Sequence, residues 1–184
     1  MPVIKIRTGN LKEREFQLST RLKKNTVNLS IRKTLFRLLG KLESPERLSV
    51  LVLYSGTGII TWELISQGVI DIESIELDDE CVDFQEKIAS ELGCAQVHIE
   101  NDEGMRYLYR QQKKYDLIIA TPGHDVGVQV HLPKLVFNNN SLTPNGRFYL
   151  SHPNLVEFTN HQNYEIHLGY KYERVTVFRH EDKL

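Results

Sequence analysis

The sequence predicts an α/β fold in which a mixed, seven-stranded sheet carries helices on both faces and follows a small N-terminal β-hairpin and helix. Residues 50–54 form a short apolar run ended by a Gly-x-Gly turn, the pattern of a strand buried on both faces. Strand-like and helix-like segments then alternate along the chain, which favours a parallel sheet. The last two strand-like segments, 164–169 and 174–178, flank a short turn and predict a closing antiparallel pair.

The first 47 residues predict a hairpin and a helix. Residues 3–7 alternate apolar and basic side chains, and residues 15–18 can pair back on them across a Gly-Asn turn. A helix follows with apolar residues at helical spacing. Its candidate N-caps are Asn28 and Ser30, and Gly40 ends it.

The remaining residues, 48–184, predict the core of the protein. The predicted helices span residues 59–67, 80–92 and 132–138, with another through 107–109, and the predicted strands span residues 50–54, 70–77, 96–100, 115–120 and 147–151. Pro144-Asn145-Gly146 predicts a turn before the last of these strands.

Length and composition predict one domain with a small extension. The chain has 184 residues, of which 40% are apolar, and no apolar run approaches the roughly 20 residues of a membrane span. The N-terminus lacks the apolar segment of a signal peptide. Cys81 and Cys94 have no metal-ligand spacing, so we expect reduced, structural cysteines in a cytoplasmic protein. We also expect a monomer that needs no metal.

The net charge of −1 conceals a division of the chain into a basic and an acidic part. Residues 1–47 contain 12 Lys/Arg and 4 Asp/Glu, a net charge of +8, whereas residues 48–184 carry −9. This division favours a polyanion-binding arm over an ordinary solvated face, which is the alternative interpretation. We therefore expect nucleic acid to contact the first 47 residues.

Four polar loops are predicted to surround one crevice. In an open α/β sheet the ligand lies beyond the carboxyl ends of the strands, where the strand order reverses. The loops placed there are residues 54–58, 76–78, 101–103 and 121–125.

Two cofactors compete for the Gly-x-Gly turn. A dinucleotide favours a third glycine, but that position is Thr61, and the acidic residues of the crevice would repel a pyrophosphate. S-adenosyl-L-methionine, a sulfonium without phosphates, suits an acidic pocket. We expect Glu76, 18 residues beyond Gly58, to bind its ribose hydroxyls in a bidentate manner, and Asp102 to accept from its adenine, to cap the following helix, or to do both. The predicted cofactor-binding residues are Tyr54, Ser55, Gly56, Thr57, Gly58, Glu76, Leu77, Asp102 and Glu103.

Three motifs resemble the RsmD-type family of small-subunit ribosomal RNA guanine-N2 methyltransferases. Residues 31–36, Ile-Arg-Lys-Thr-Leu-Phe, resemble the family's Val-Arg-Glu-Ala-Leu-Phe helix. Residues 53–58, Leu-Tyr-Ser-Gly-Thr-Gly, together with 63–68, Glu-Leu-Ile-Ser-Gln-Gly, resemble its glycine loop and the helix after it. Residues 115–119, Tyr-Asp-Leu-Ile-Ile, resemble its Phe-Asp-Leu-Ile-Phe strand. The resemblance covers nearly the whole chain. It implies a Rossmann-like class I methyltransferase core that uses S-adenosyl-L-methionine on a guanine of small-subunit ribosomal RNA, behind an RNA-contacting N-terminal hairpin.

The family's catalytic Asp-Pro-Pro-Tyr corresponds here to Thr-Pro-Gly-His, residues 121–124. In that motif a side-chain oxygen and a backbone carbonyl orient the amine of the target base, and the aromatic residue stacks on the base. In this chain the first residue carries no charge, so Asp125 is a candidate for the missing carboxylate. The predicted catalytic residues are Thr121, Pro122, His124 and Asp125.

The predicted RNA-binding residues are Lys5, Arg7, Lys12, Arg14 and Arg32. Two further functions stay open at this point. The changed catalytic loop permits a relative that binds cofactor or RNA without transferring a methyl group. The Gly-x-Gly turn alone permits a nicotinamide-dependent oxidoreductase.

Overall fold

The computed structural model describes residues 2–94, 96–123, 126–170 and 172–181. The strands in these ranges are β1 (Val3–Lys5), β2 (Glu15–Gln17), β3 (Ser49–Leu53), β4 (Asp71–Glu76), β5 (Val97–Asn101), β6 (Tyr115–Ala120), β7 (Leu142–Pro153), β8 (Tyr164–Tyr170) and β9 (Glu173–Arg179). The helices are α1 (Thr20–Lys24), α2 (Leu29–Leu39), α3 (Ile59–Ser66), α4 (Asp79–Leu92), α5 (Gly104–Arg110) and α6 (Val126–Asn138), with one 3₁₀ turn at Pro45–Arg47.

Across the described ranges, seven strands form one mixed sheet in the order β5-β4-β3-β6-β7-β9-β8, and β1 pairs with β2 in a separate antiparallel hairpin. The five strands from β5 to β7 are parallel, while β9 is antiparallel to both β7 and β8. The strand order reverses between β3 and β6, so the carboxyl ends of these two strands open the crevice. The predicted fold class, including the N-terminal hairpin and helix, is confirmed.

Helix α3 explains why the hairpin packs so closely on the sheet. All eight of its residues are buried, including Trp62 and Glu63, so both of its faces must be covered. The sheet covers one face, and the hairpin covers the other. The apolar residues Ile6 and Leu35 of the N-terminal segment accordingly belong to the same hydrophobic cluster as Val50 of the central strand. The chain before residue 48 therefore shares its core with the chain after it.

A buried carboxylate fastens the hairpin to α3. Glu63 accepts hydrogen bonds from the backbone N–H groups of Arg7 (2.8 Å) and Thr8 (3.1 Å) and from the Thr8 hydroxyl (2.7 Å). The guanidinium of Arg32 lies 3.4 Å from the same carboxylate and donates to the Lys5 carbonyl. The charge of Glu63 is thus compensated inside the protein.

Three parts of the chain differ from the sequence prediction. Helix α1 was not predicted, and α6 begins six residues earlier than expected. The predicted turn at residues 144–146 lies inside strand β7, where the pairing with β6 shifts register. Asn145 has a φ of +62°, so the Asn-Gly signal marks an irregularity within a strand rather than the end of one. Among the described residues, no helix is long and apolar enough to cross a bilayer.

Candidate active site

The chain turns sharply after β3 because three nearby residues have left-handed backbone conformations. The φ angles are +54° at Tyr54, +57° at Gly56 and +73° at Gly58. This conformation costs a residue with a side chain roughly 1–2 kcal/mol, so Tyr54 must be held in place. Its hydroxyl donates to Glu103 Oε1 (2.7 Å), and its ring lies against Gly104, where a Cβ would come within 2.7 Å of it.

A buried chain of polar side chains supports this glycine loop from below. Gln85 donates to Ser55 Oγ (2.9 Å) and to the Gly56 carbonyl (2.7 Å), and its own oxygen accepts from Ser74 Oγ (2.7 Å). The hydroxyls of Ser74 and Thr61 are 3.1 Å apart. Thr61, where a dinucleotide fold would have glycine, therefore joins a polar chain that ends on the loop. Gln85 could not be predicted from the sequence, because a buried glutamine has no short-range signature.

Glu76, the last residue of β4, lies on the acidic side of the crevice. One carboxylate oxygen accepts from Gly56 N (2.7 Å), and the other accepts from Leu77 N and Asp78 N (2.9 Å each). A carboxylate offers about four acceptor positions, so three of them serve the protein itself. Glu76 keeps room for one further donor on the oxygen that faces Gly56.

The next acidic residues have structural roles. Both oxygens of Asp102 are engaged, by Glu103 N (2.7 Å) and Arg106 on one side and by two bonds from Arg110 (2.9 and 2.8 Å) on the other. Burial raises the pKa of Asp102, but the hydrogen bonds from Arg110 and Arg106 outweigh it and hold that pKa below its usual range. The prediction that this carboxylate accepts from adenine needs correction, because its acceptor positions are occupied. Glu103, not Asp102, is the N-cap of α5.

The predicted catalytic loop connects directly to the glycine loop. Thr121 donates through its hydroxyl to the Tyr54 carbonyl (3.0 Å), so that proton is already used within the protein. The Gly123 carbonyl accepts from Gln129 Nε2 (2.6 Å), whose side chain is fully buried. Of the predicted catalytic residues, His124 and Asp125 lie outside the described residues.

The N-terminal segment packs directly over the glycine loop. A Cβ at Gly56 would lie 1.9 Å from the Asn25 carbonyl oxygen, so the two backbones touch and leave no space for a side chain. Arg21 of α1 donates to Asp78 (2.9 Å) across the crevice, and this hydrogen bond holds the pKa of Asp78 below its usual range. The sequence predicts only an RNA-contacting role for this segment. Only the tertiary structure shows that this segment also lies over the glycine loop.

Together these segments enclose a cavity of about 820 Å³. Its wall includes Tyr54, Gly56, Glu76 and Leu77 from the predicted cofactor site and Thr121 and Pro122 from the predicted catalytic loop. The other predicted cofactor residues, Ser55, Thr57, Gly58, Asp102 and Glu103, lie outside this lining. Ser55 and Thr57 belong to the same loop, but both are buried. Within the described ranges, no group of three or more His, Cys, Asp or Glu side chains is arranged to hold a metal ion.

The predicted RNA-binding residues divide into exposed and buried ones. Arg7, Lys12 and Arg14 are exposed on the hairpin, whereas Lys5 forms ion pairs with Glu13 and Glu15.

Arg32 is only 7% exposed, and its guanidinium faces Glu63 and the Lys5 carbonyl. The prediction that Arg32 contacts RNA is therefore corrected. Its helical position suggested a surface side, but the hairpin covers that side.

Both cysteines are free and buried. Burial raises the pKa of Cys81 to about 12, so its thiol stays protonated next to the glycine loop.

The described geometry has counterparts in known proteins. The family model for Conserved hypothetical protein 95 matches residues 4–179, nearly the whole chain. The chain belongs to this family. It is the family of the RsmD-type methyltransferases, so the predicted family, enzyme class and cofactor, S-adenosyl-L-methionine, are confirmed at the level of the family. This membership removes the support for a nicotinamide-dependent oxidoreductase.

Relatives agree in sequence and in fold. Ribosomal RNA small subunit methyltransferase D from Buchnera aphidicola is 27% identical over 137 residues, which cover 72% of this chain and 69% of that protein. The yhhF protein of Escherichia coli superposes with a TM-score of 0.84 at 18% identity, covering 98% of this chain and 99% of the other. An RNA methyltransferase from Salinibacter ruber, solved in complex with S-adenosyl-L-homocysteine, has a TM-score of 0.62 at 16% identity and covers 86% of this chain and 95% of its own. At these identities, the two structures show the shared fold.

Replacing Gln85 with leucine should lower the stability of the protein and remove hydrogen bonds that hold the glycine loop. The substitution removes the buried hydrogen bonds that Gln85 makes with the Gly56 carbonyl and with the hydroxyls of Ser55 and Ser74, which should lower the free energy of unfolding by about 2–4 kcal/mol. Urea denaturation measures this loss. Gln96→Leu, at an exposed position, is the matched control and should change stability by less than about 0.5 kcal/mol. Equal stabilities of the two variants would contradict a supporting role for Gln85.

Proposed function

We propose that this protein transfers a methyl group from S-adenosyl-L-methionine to the exocyclic N2 amine of a guanine in small-subunit ribosomal RNA. The observation that supports this most is the single cavity whose wall contains both Gly56 and Glu76 of the cofactor side and Thr121 and Pro122 of the target side. A donor and an acceptor bound in one cavity are held within reach of each other, which is the main requirement for methyl transfer from a sulfonium.

The residues of the cavity fit the proposed cofactor. Leu77 is 56% exposed and offers an apolar surface for a flat adenine ring. Glu76 retains one acceptor position for a ribose hydroxyl, so we expect one hydrogen bond there rather than the bidentate pair predicted from the sequence. Asp78 and Asp79 add negative charge to the same wall, which favours a cationic ligand and disfavours a pyrophosphate.

Residues of this chain would orient the target amine. S-adenosyl-L-methionine supplies an activated methyl group when bound. The hydroxyl oxygen of Thr121, whose proton is donated to Tyr54, or the Pro122 carbonyl can accept a hydrogen bond from one N–H group of the amine. These neutral acceptors would point the nitrogen lone pair along the line of transfer. They supply less electrostatic stabilisation than the family's aspartate would.

Incorporation of methyl groups tests the proposal directly. The purified protein is incubated with tritiated S-adenosyl-L-methionine and either unmethylated small-subunit ribosomal RNA or small ribosomal subunits, and the labelled nucleoside is identified after digestion. We expect label in N2-methylguanosine. If the protein binds S-adenosyl-L-homocysteine by calorimetry but labels neither substrate, the proposal fails. The alternative, a relative that binds without transfer, would then hold; the neutral Thr121 motivates it.

The exposed basic side chains of the hairpin support RNA as the substrate class. Replacing Arg7, Lys12 and Arg14 together with glutamate should weaken binding to small-subunit ribosomal RNA. It should also make the slope of log affinity against log salt concentration less steep, by an amount that corresponds to about three lost phosphate contacts. Filter binding at several salt concentrations measures both effects. Lys87→Glu, at an exposed position of α4, is the control. An unchanged salt slope in the triple variant would exclude the hairpin as the RNA contact.

A further inference from the structure

Glu173 lies on the side of the cavity opposite the predicted cofactor residues. It is the first residue of β9 and pairs with Pro153, the last residue of β7. Its side chain shares the cavity wall with Pro122, Gly123 and Ser151. Glu173 therefore borders the end of the cavity where the target base would enter, not the end that holds Glu76.

Asn28 fixes the carboxylate of Glu173. Asn28 Nδ2 donates to Glu173 Oε2 at 2.6 Å, and Asn28 Oδ1 accepts from Ile31 N at 2.9 Å as the N-cap of α2. Because both ends of the amide are engaged, its orientation is determined by the helix cap. The donor that holds Glu173 is thus set in place by the fold, and Oε1 takes no part in that bond.

The other carboxylates on the cavity wall serve different purposes. Glu76 accepts from three backbone amides, and Asp78 caps α4 and pairs with Arg21. Asp79 accepts from Asn101 Nδ2 (2.7 Å). Glu76 ends β4 and the other two follow it directly, on the cofactor side. Of the acidic residues described on this wall, Glu173 is the one placed on the side of the catalytic loop.

We propose that Glu173 recognises the target guanine by accepting hydrogen bonds from its N1–H and N2–H groups, and so supplies the negative charge that Thr121 lacks. This inference rests on the proposed function. A guanine presents two adjacent donors on its Watson–Crick edge, which match the two oxygens of a carboxylate, and charge-assisted bonds of this kind are about twice as strong as neutral ones. Adenine presents an acceptor at N1, which a carboxylate repels. Glu173 would therefore select guanine as well as orient it.

The same contact also assists the transfer. The N2 nitrogen forms its bond to the methyl carbon while the bond from that carbon to sulfur breaks, and the electron pair of the broken bond stays on sulfur. Positive charge develops on the amine, which then releases one proton. A carboxylate in contact with this amine stabilises the developing charge and can receive the proton before it passes to water.

The experiment compares Glu173→Gln with Glu157→Gln. Glu157 is an exposed carboxylate of the same region that pairs with Arg174 and lies outside the cavity wall. We expect Glu173→Gln to lower kcat/KM for methyl transfer into small-subunit ribosomal RNA by about 100-fold, while the affinity for S-adenosyl-L-homocysteine stays within about twofold. Glu157→Gln should keep the activity of the unmodified protein. Asn28→Ser retains a good helix cap but removes the donor to Glu173, so it should lower kcat/KM by about 10-fold.

A binding measurement separates this proposal from the proposed function. Guanosine and inosine, which lacks the N2 amine, are titrated into the protein saturated with S-adenosyl-L-homocysteine. The unmodified protein should prefer guanosine, and Glu173→Gln should lose that preference. If methyl transfer occurs but Glu173→Gln keeps both its kcat/KM and its preference for guanosine, the role of Glu173 is refuted and the proposed function stands. If no methyl transfer occurs but the preference depends on Glu173, the proposed function fails and base recognition stands.

Discussion

Replacing Glu63 with alanine is expected to lower the free energy of unfolding by about 3–5 kcal/mol, because the change leaves the buried charge of Arg32 uncompensated. Glu63 is only 1% exposed, and its carboxylate is the acceptor for the backbone N–H groups of Arg7 and Thr8. Without it, the hairpin loses its polar attachment to α3. Urea denaturation followed by circular dichroism measures the loss.

Two further variants determine the cause of that loss. Glu86→Ala, at an exposed position of α4, should change the free energy of unfolding by less than about 0.5 kcal/mol. The double variant Glu63→Leu with Arg32→Met removes both charges while retaining volume, so it should be more stable than Glu63→Ala. A double variant as unstable as Glu63→Ala would show that the backbone N–H groups, rather than the charge of Arg32, dominate the cost.

Replacing Gly56 with alanine is expected to abolish measurable binding of S-adenosyl-L-methionine. The new Cβ would lie 1.9 Å from the carbonyl oxygen of Asn25, a distance that backbone atoms cannot accommodate without movement. The left-handed φ of +57° adds roughly 1–2 kcal/mol of strain. Either the N-terminal segment moves off the cavity or the glycine loop changes shape, and both alter the wall that contains Glu76. Isothermal titration calorimetry with S-adenosyl-L-methionine measures the result.

Gly93→Ala is the matched control for this prediction. Gly93 ends α4 with a φ of +64°, and a Cβ there would meet nothing within 4 Å. It therefore carries the same backbone strain without the collision, and it should lose roughly 1–2 kcal/mol of stability while binding the cofactor normally. If Gly56→Ala binds the cofactor as well as Gly93→Ala does, the close contact with Asn25 does not shape the site.

The sequence predicted the fold and the family well because their signals are local. The apolar run before the Gly-x-Gly turn, the alternation of strand and helix, and the closing antiparallel pair each occupy a few consecutive residues. Asn28 as the cap of α2 and Gly40 as its end follow from the same short-range chemistry. The irregularity at Asn145 misled the prediction because Asn-Gly has the same preference for positive φ in a turn and inside a distorted strand.

The site was predicted less completely because its residues meet through long-range packing. The sequence placed Asp102 at the correct strand end, but nothing near it in the chain indicates that Arg110 would take its carboxylate. Arg32 lies on a helix whose other basic residues are exposed, and only the hairpin folded over it explains its burial. Gln85 and Glu173 stand far in sequence from the loops they face, so spacing could not reveal them.

The sequence by itself thus determined that this chain builds a nucleotide-type α/β sheet with a Gly-x-Gly loop at Gly56, because backbone conformation and apolar periodicity are properties of neighbouring residues. Only the tertiary structure decided which polar groups remain available at that loop. Each buried carboxylate must find donors wherever the fold supplies them, and those donors come from distant segments. The carboxylates of Glu63 and Asp102 accept hydrogen bonds from other segments and lie outside the cavity wall, whereas Glu76 and Glu173 are part of that wall.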